Sequence, residues 1–167
     1  DLKSYNDLYE WSINNIDLFW EVLWYDLDII YSKNFKYVID DENNMPGANW
    51  FSESKLNFSE NLLRYKNSDK LALKFYNEKG HYKELSYKSL YNLVSKVSHS
   101  FREMGLKEGD RVCAVMPNII ETIVSMLATA SIGAIWSSCS PEFGIQGILD
   151  RFKQVKPKLL ISSNGYY

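Results

Sequence analysis

The stretch that decides the fold runs from Arg111 to Gly144 and reads RVCAVMPNIIETIVSMLATASIGAIWSSCSPEFG. Its start, RVCAVMP, is a continuous apolar run ended by Pro117, which is typical of a strand covered on both faces. A helical segment follows, for which Asn118 is the expected N-cap, and AIWSS then returns to a strand. Strand, helix and strand at this spacing predict a βαβ unit with parallel strands.

The sequence continues the same alternation on the C-terminal side and changes pattern on the N-terminal side. We expect a loop and helix from Pro141 to Val155, and another strand in PKLLISS after Pro157. Before the βαβ unit, LALKFY and HYKELS flank the turn NEKG and predict a β-hairpin. Ser86 is the expected cap of the next helix, whose apolar residues share one face and which Gly105 closes. The predicted fold class is α/β.

The N-terminal part of the chain has a different composition. Residues 1–45 carry ten Asp and Glu against three Lys and Arg, whereas residues 46–167 carry eleven against sixteen. Ser4 and Asp7 have the spacing of a capping box, and LNFSENLL predicts a short helix capped by Asn57 or Ser59. One helical stripe contains Ile16, Phe19, Trp20, Leu23, Trp24 and Leu27.

These features predict two regions. Residues 1–68 form an acidic, aromatic-rich helical cap, and residues 69–167 form the start of a larger α/β domain. We expect the aromatic stripe to be packed against the α/β body, with Trp20 and Trp24 buried. The chain begins at Asp1 rather than methionine, so we also expect it to be part of a longer protein.

Composition excludes several classes of function. A content of 46% hydrophobic and 24% charged residues is that of an ordinary globular protein, without repeats or low-complexity tracts. No apolar stretch is long enough to span a bilayer, and no basic cluster is interleaved with aromatics, so we expect neither a membrane nor a nucleic-acid partner. Two cysteines give no disulfide framework, which favours a cytoplasmic location.

Familiar catalytic motifs are missing from these 167 residues. There is no GxGxxG, GxxxxGK[ST], HExxH or GxSxG, and no Cys/His cluster, so we assign no catalytic residue and no metal ligand. Neither His81 nor His99 is a persuasive general base, and we expect both to be structural or exposed. Short side chains at Ser137–Ser140 follow a strand, at the edge where open α/β sheets bind ligands. The alternative is a tight strand-to-helix connection without a ligand.

Several blocks of the sequence resemble one enzyme family. GLKEGDRVCAVMPN and ETIVSMLATASIGAIWSSCSPEFGIQGILDRFKQVKPKLLI look like the early large-domain segment of AMP-forming acyl-CoA synthetases, in the adenylate-forming superfamily. MPGANWF, LNFSENLL and WSSCSPEFG are similar, more narrowly, to the branch of that family that activates acetoacetate. The acidic, aromatic start also resembles the N-terminal cap of that branch.

The resemblance implies a two-step ligase. ATP, entering with Mg²⁺, and acetoacetate give an acyl-adenylate and pyrophosphate, and the thiol of coenzyme A then displaces AMP. The family's lysine-ended, Ser/Thr/Gly-rich phosphate loop and its C-terminal lysine are not in this sequence, so we expect the isolated chain to be inactive and to need the remainder of the same polypeptide.

The resemblance also suggests ligand-contacting positions. It makes Ser138, Cys139, Ser140 and Pro141 the candidates for the wall of the coenzyme A channel. Related acetyl-CoA synthetases carry a glycine-rich stretch where this chain has CSPE. Two other classes stay open, a nucleotide-binding oxidoreductase domain and a non-catalytic interaction module.

Overall fold

The computed structural model describes residues 3–165, and their contacts divide the chain into two units between Asn57 and Phe58. The division predicted from composition, at residue 68, stays a prediction. The outermost residues of the chain, 1–2 and 166–167, lie outside the described part. No helix within residues 3–165 is long and apolar enough to cross a membrane.

The first unit begins with two helices, α1 (Tyr5–Asn14) and α2 (Ile16–Asp26). The predicted capping box at the start of α1 is confirmed. The Ser4 hydroxyl accepts a hydrogen bond from the Asp7 amide at 3.1 Å, and the Asp7 carboxylate accepts one from the Ser4 amide at 2.9 Å. Two of the orphan amides of the helix terminus are thereby satisfied.

An aromatic cluster holds α2 against the irregular segment that follows it. Trp24 is 5% exposed, and its ring lies 4.8 Å from Phe51, 5.3 Å from Phe35 and 5.4 Å from Tyr31, between ring centroids. Trp20, one turn earlier, is 42% exposed. Within residues 3–165, its ring contacts only two other rings, those of its neighbour Phe19 and of Trp50, both edge-on. Trp24 is therefore buried as predicted and Trp20 is not, because the segment covers a narrower face of α2 than the sequence pattern suggests. Packing of the stripe against the α/β body stays a prediction.

The second unit opens with the short helix α3 (Phe58–Leu62), which begins directly after Asn57. The predicted hairpin is confirmed as β1 (Leu71–Tyr76) paired antiparallel with β2 (Tyr82–Ser86). Helix α4 (Tyr87–Glu103) follows at once. As predicted, the Ser86 hydroxyl caps α4 by accepting a hydrogen bond from the Ser89 amide at 3.2 Å.

A three-stranded parallel sheet forms the centre of this unit, in the order β4-β3-β5. The strands are β3 (Arg111–Val115), β4 (Ile135–Cys139) and β5 (Leu159–Ser162), connected by the helices α5 (Ile120–Ser131) and α6 (Gly144–Val155). Cys113 in the middle strand is paired with Ser137 on one side and Leu160 on the other. The α/β fold class and the predicted βαβ order are confirmed.

The two faces of the sheet pack against different helices. Val112 faces the larger core, to which α4 and α5 contribute Leu90, Val94, Phe101, Val124 and Leu127. Cys113 and Cys139 face the opposite way and pack with Phe152 of α6. Because β3 is covered on both faces, its three residues Val112–Ala114 are fully buried, which explains the unbroken apolar run in the sequence.

The start of α5 differs from the prediction. The N-cap position is occupied by Ile119, whose side chain makes no capping bond, and Asn118 lies one residue outside the helix. The Thr122 hydroxyl instead donates to the Pro117 carbonyl at 2.7 Å, and the Ile119 amide donates to the same carbonyl at 2.9 Å. Asn118 was predicted as the cap, and this prediction is wrong because the carbonyl before it organises the turn.

Candidate functional site

A cleft of about 760 Å³ lies at the carboxyl ends of the parallel strands. One side is formed by residues that follow β3, β4 and β5, and the other by the β1–β2 hairpin. The lining residues are Phe75, Tyr76, Asn77, Glu78, His81, Lys83, Pro117, Asn118, Ile119, Ser140, Pro141, Glu142 and Gly165. This is the position at which open α/β sheets bind small molecules, and the volume falls within the usual range for ligand sites.

The turn between β4 and α6 forms the first wall. The Met116 amide donates to the Cys139 carbonyl at 3.2 Å, so the ends of β3 and β4 are held side by side. Ser140 then caps a short 3₁₀ turn, Pro141–Phe143, by accepting a hydrogen bond from the Glu142 amide at 3.4 Å. Proline is favoured at the first position of such a turn because it needs no amide donor there.

A glycine completes this wall. Gly144 has φ 67° and ψ 163°, a backbone conformation that is essentially restricted to glycine. The chain can therefore reverse from the 3₁₀ turn into α6 within one residue, which keeps Ser140 and Pro141 at the mouth of the cleft.

The hairpin forms the opposite wall and is tied to α5. Lys83 on β2 makes an ion pair with Glu121 of α5, with 3.6 Å between the ammonium nitrogen and the carboxylate oxygen. Both side chains are more than half exposed, so this pair contributes little to stability. The pair links β2 of the hairpin to the start of α5.

The predicted site residues fall into two pairs. Ser140 and Pro141 line the cleft, whereas Ser138 and Cys139 are not among its lining residues. Ser138 is exposed on β4, and Cys139 is 5% exposed and packs with Cys113 in the smaller core. Ser138 and Cys139 point to opposite faces of β4, because successive side chains of a strand alternate, whereas Ser140 and Pro141 follow the end of the strand.

Sequence reasoning missed the hairpin half of the cleft. The rule for parallel sheets identifies the strand ends, but it gives no information on which distant segment closes the cleft over them. His81, which the sequence analysis assigned to a structural or surface position, is exposed and lines this half together with Lys83. The only signal available was that both residues follow the hairpin turn.

The Cys113 thiol is a poor nucleophile. Burial raises the pKa of the Cys113 thiol, the neighbouring Cys139 raises that pKa further, and the Ser137 hydroxyl offsets part of the effect. Cys113 is therefore protonated at neutral pH, and a protonated thiol reacts slowly. Within the described part of the chain, no group of three or more His, Cys, Asp or Glu side chains could hold a metal ion.

Two family models match consecutive parts of the chain. The model described as the acetyl-coenzyme A synthetase N-terminus matches residues 5–62, and the AMP-binding enzyme model matches residues 60–165. The second match covers well over half of the sequence. The chain belongs to the AMP-binding enzyme family. The cleft is therefore a feature of the AMP-binding region, since all its lining residues lie within that match.

Two relatives of this chain are named as acetoacetyl-CoA synthetases. The acetoacetyl-CoA synthetase of Xenopus tropicalis is 44% identical over 163 residues, and the acetoacetyl-coenzyme A synthetase of Rhizobium meliloti (strain 1021) is 45% identical over 164. These alignments cover 96% and 98% of this chain but 24% and 25% of the relatives. The chain thus spans about a quarter of the length of the curated relatives it matches.

A solved structure gives the same result for the fold. The acetoacetyl-CoA synthetase from Streptomyces lividans matches 99% of this chain and 26% of its own chain, with a TM-score of 0.94 and 35% sequence identity. The family resemblance expected from the sequence blocks is confirmed.

Proposed function

We propose that this chain is the N-terminal part of an AMP-forming acid–thiol ligase that joins acetoacetate to coenzyme A at the expense of ATP. One observation carries the proposal, the similarity of almost the whole chain to acetoacetyl-CoA synthetases at 44% and 45% identity. The AMP-binding family match over residues 60–165 supports an adenylate-forming first step.

The proposed reaction has two balanced steps. A carboxylate oxygen of acetoacetate attacks the α-phosphorus of ATP, and pyrophosphate leaves to give the acyl-adenylate. The sulfur of coenzyme A, having lost its proton, then attacks the acyl carbon, and AMP leaves with the bonding electrons to give acetoacetyl-CoA. Both steps need reactants held in line and charge stabilised on phosphate and acyl oxygens.

The cleft is the proposed binding place of coenzyme A. We assign Ser140 and Pro141 to the wall of a channel for the coenzyme A arm, because both line the cleft at the strand ends. Cys139 supports this wall from the core, where it packs with Cys113 and Phe152. Ser138, exposed on the edge strand beside them, stays a candidate only for the rim.

The whole protein is proposed to have a cap region and an AMP-binding domain. Residues 1–68 act as a cap region, and residues 69–167 begin the AMP-binding domain. We expect a cytoplasmic enzyme without membrane or nucleic-acid partners, in which Mg²⁺ accompanies ATP. We assign no metal ligand and no catalytic residue to this chain, since the motifs that the family uses for these roles are not in its sequence.

The direct test is acid-dependent exchange of labelled pyrophosphate into ATP by the full-length protein. Acetoacetate should support exchange better than acetate, propionate or butyrate in a panel at equal concentration. Exchange with none of these acids would contradict the proposal, and would favour an interaction module or an oxidoreductase domain.

The isolated 167-residue chain is the matched control for that assay. It should show no exchange with any acid, because it lacks the phosphate loop and the C-terminal lysine that the chemistry requires. Acid-dependent exchange by this chain alone would show that adenylation does not depend on those motifs.

A further inference from the structure

The tip of the β1–β2 hairpin selects one tautomer of a histidine side chain. Asn77 begins the turn, and its side-chain oxygen accepts hydrogen bonds from two main-chain amides, that of Lys79 at 3.1 Å and that of His81 at 2.9 Å. The same turn is closed by main-chain bonds from the Gly80 amide to the Asn77 carbonyl and from the Asn77 amide to the His81 carbonyl. The Asn77 amide group is therefore fixed in orientation, because a flipped group would direct its NH₂ at two N–H donors.

That orientation determines the tautomer of His81. The Asn77 side-chain nitrogen lies 3.2 Å from Nδ1 of His81, and an amide nitrogen can only donate. Nδ1 must therefore be the acceptor, which places the single proton of the neutral ring on Nε2. The turn thus leaves Nε2–H as the single donor of the neutral His81 ring, and His81 is one of the residues that line the cleft.

The surroundings of His81 indicate what this donor could bind. His81 lines the same cleft as Ser140 and Pro141, on the opposite wall, and Tyr76 and Phe75 add aromatic surface beside it. A hydrogen-bond donor among polar and aromatic lining residues suits a flexible chain that carries carbonyl oxygens between methylene groups.

We propose that His81 is a positioning residue that donates its Nε2–H to an amide carbonyl of the coenzyme A arm. The proposal rests on the proposed function, which supplies coenzyme A as the ligand of this cleft. The orientation of the ring comes from Asn77, so the two residues act as one unit in which Asn77 sets the tautomer and His81 makes the contact.

The experiment measures the Kd of coenzyme A for the full-length protein with three substitutions at one position. His81→Gln retains an amide donor close to the place of Nε2, His81→Asn retains only one close to Nδ1, and His81→Ala retains neither. Loss of one hydrogen bond of ordinary strength corresponds to about a fivefold change in Kd. We expect His81→Ala and His81→Asn to weaken binding about fivefold, and His81→Gln to bind like the parent.

A spectroscopic measurement tests the tautomer independently. With ¹⁵N-labelled histidine, the signal assigned by its loss in His81→Gln should show an unprotonated Nδ1 and a protonated Nε2. Asn77→Asp keeps the oxygen that accepts from the turn amides but presents a second oxygen to Nδ1, so Nδ1 should become protonated. A protonated Nδ1 in the parent would overturn the proposal.

The outcomes separate this inference from the function on which it rests. Equal Kd values for the parent and all three variants, or no binding of coenzyme A by the parent, would refute the role of His81. A fall of pyrophosphate exchange in parallel with binding would also refute it, because it indicates a general structural defect. Absence of acid-dependent exchange in the parent would contradict the ligase proposal instead. The Kd values of the three variants would still test the role of His81, because they measure binding of coenzyme A alone.

Discussion

Replacement of Trp24 by alanine should destabilise helix α2 far more than the same replacement of Trp20. Trp24 is 5% exposed and packs on three rings, whereas Trp20, on the same helix one turn earlier, is 42% exposed. Emptying a buried tryptophan site costs about 3–5 kcal/mol. For Trp20, where much of the ring already contacts water, we expect no more than about half of that cost.

Trp24→Phe provides a finer comparison. The indole nitrogen of Trp24 is buried and has no hydrogen-bond partner within the described residues, and an unpaired buried donor costs about 1–3 kcal/mol. Phenylalanine removes that nitrogen while keeping most of the apolar contact, so Trp24→Phe should cost clearly less than Trp24→Ala.

Native-state hydrogen exchange over α2 in the full-length protein is the suitable assay, because it reports opening of this element without requiring two-state unfolding of the whole protein. A loss of about 3 kcal/mol corresponds to exchange more than a hundredfold faster. Equal acceleration by Trp20→Ala and Trp24→Ala, or less than tenfold acceleration by Trp24→Ala, would refute the packing argument.

Two further predictions concern stability. The Asp110 carboxylate accepts hydrogen bonds at 2.7 Å from the Lys158 ammonium and the Lys107 amide, which hold its pKa below the ordinary value of 3.8. A carboxyl whose pKa is lowered by folding stabilises the protein above its unfolded pKa. Asp110→Asn should therefore be less stable than the parent at pH 7, and the difference in stability should shrink as the pH falls below 3.8. A difference in stability that does not depend on pH would contradict this. The Ser59 hydroxyl is fully buried without a hydrogen-bond partner in the described part of the chain, so Ser59→Ala should be stabilising by about 1 kcal/mol and should raise Tm, whereas a lower Tm would show that the hydroxyl is satisfied.

The elements that sequence could predict are those with a strong local signal. The capping box at Ser4, the cap at Ser86 and the apolar run Val112–Ala114 each depend on neighbours in sequence, and all three are found as predicted. Asn118 shows the limit of this reasoning. Its residue type suits an N-cap, but α5 begins one residue later with Ile119 at the N-cap position, and side-chain type does not fix that boundary.

Only one half of the candidate site could be predicted from the sequence. Strand ends follow from the βαβ pattern, which identifies Ser140, whereas Pro141 is a candidate only through the family resemblance; both line the cleft. Cys139 is separated from them because it is the last residue of β4 and packs in the smaller core, and the sequence does not show at which residue the strand ends. To predict His81 as a site residue, one must know that the hairpin packs beside strand ends about 60 residues away in sequence. No local pattern encodes that contact.

The cleft wall at Ser140 is proposed to contact coenzyme A in a two-step ligase, and one measurement tests this directly. The measurement is of both half-reactions, pyrophosphate exchange and thioester formation, on the full-length Ser140→Trp variant, normalised to folded protein. A bulky ring at Ser140 should obstruct the channel, so thioester formation should fall while exchange survives. Cys139→Trp is the matched control, because a ring forced into the core beside Phe152 should reduce the amount of folded protein and lower both half-reactions together. If thioester formation and exchange fall in parallel in Ser140→Trp, or if neither changes, the channel assignment is contradicted.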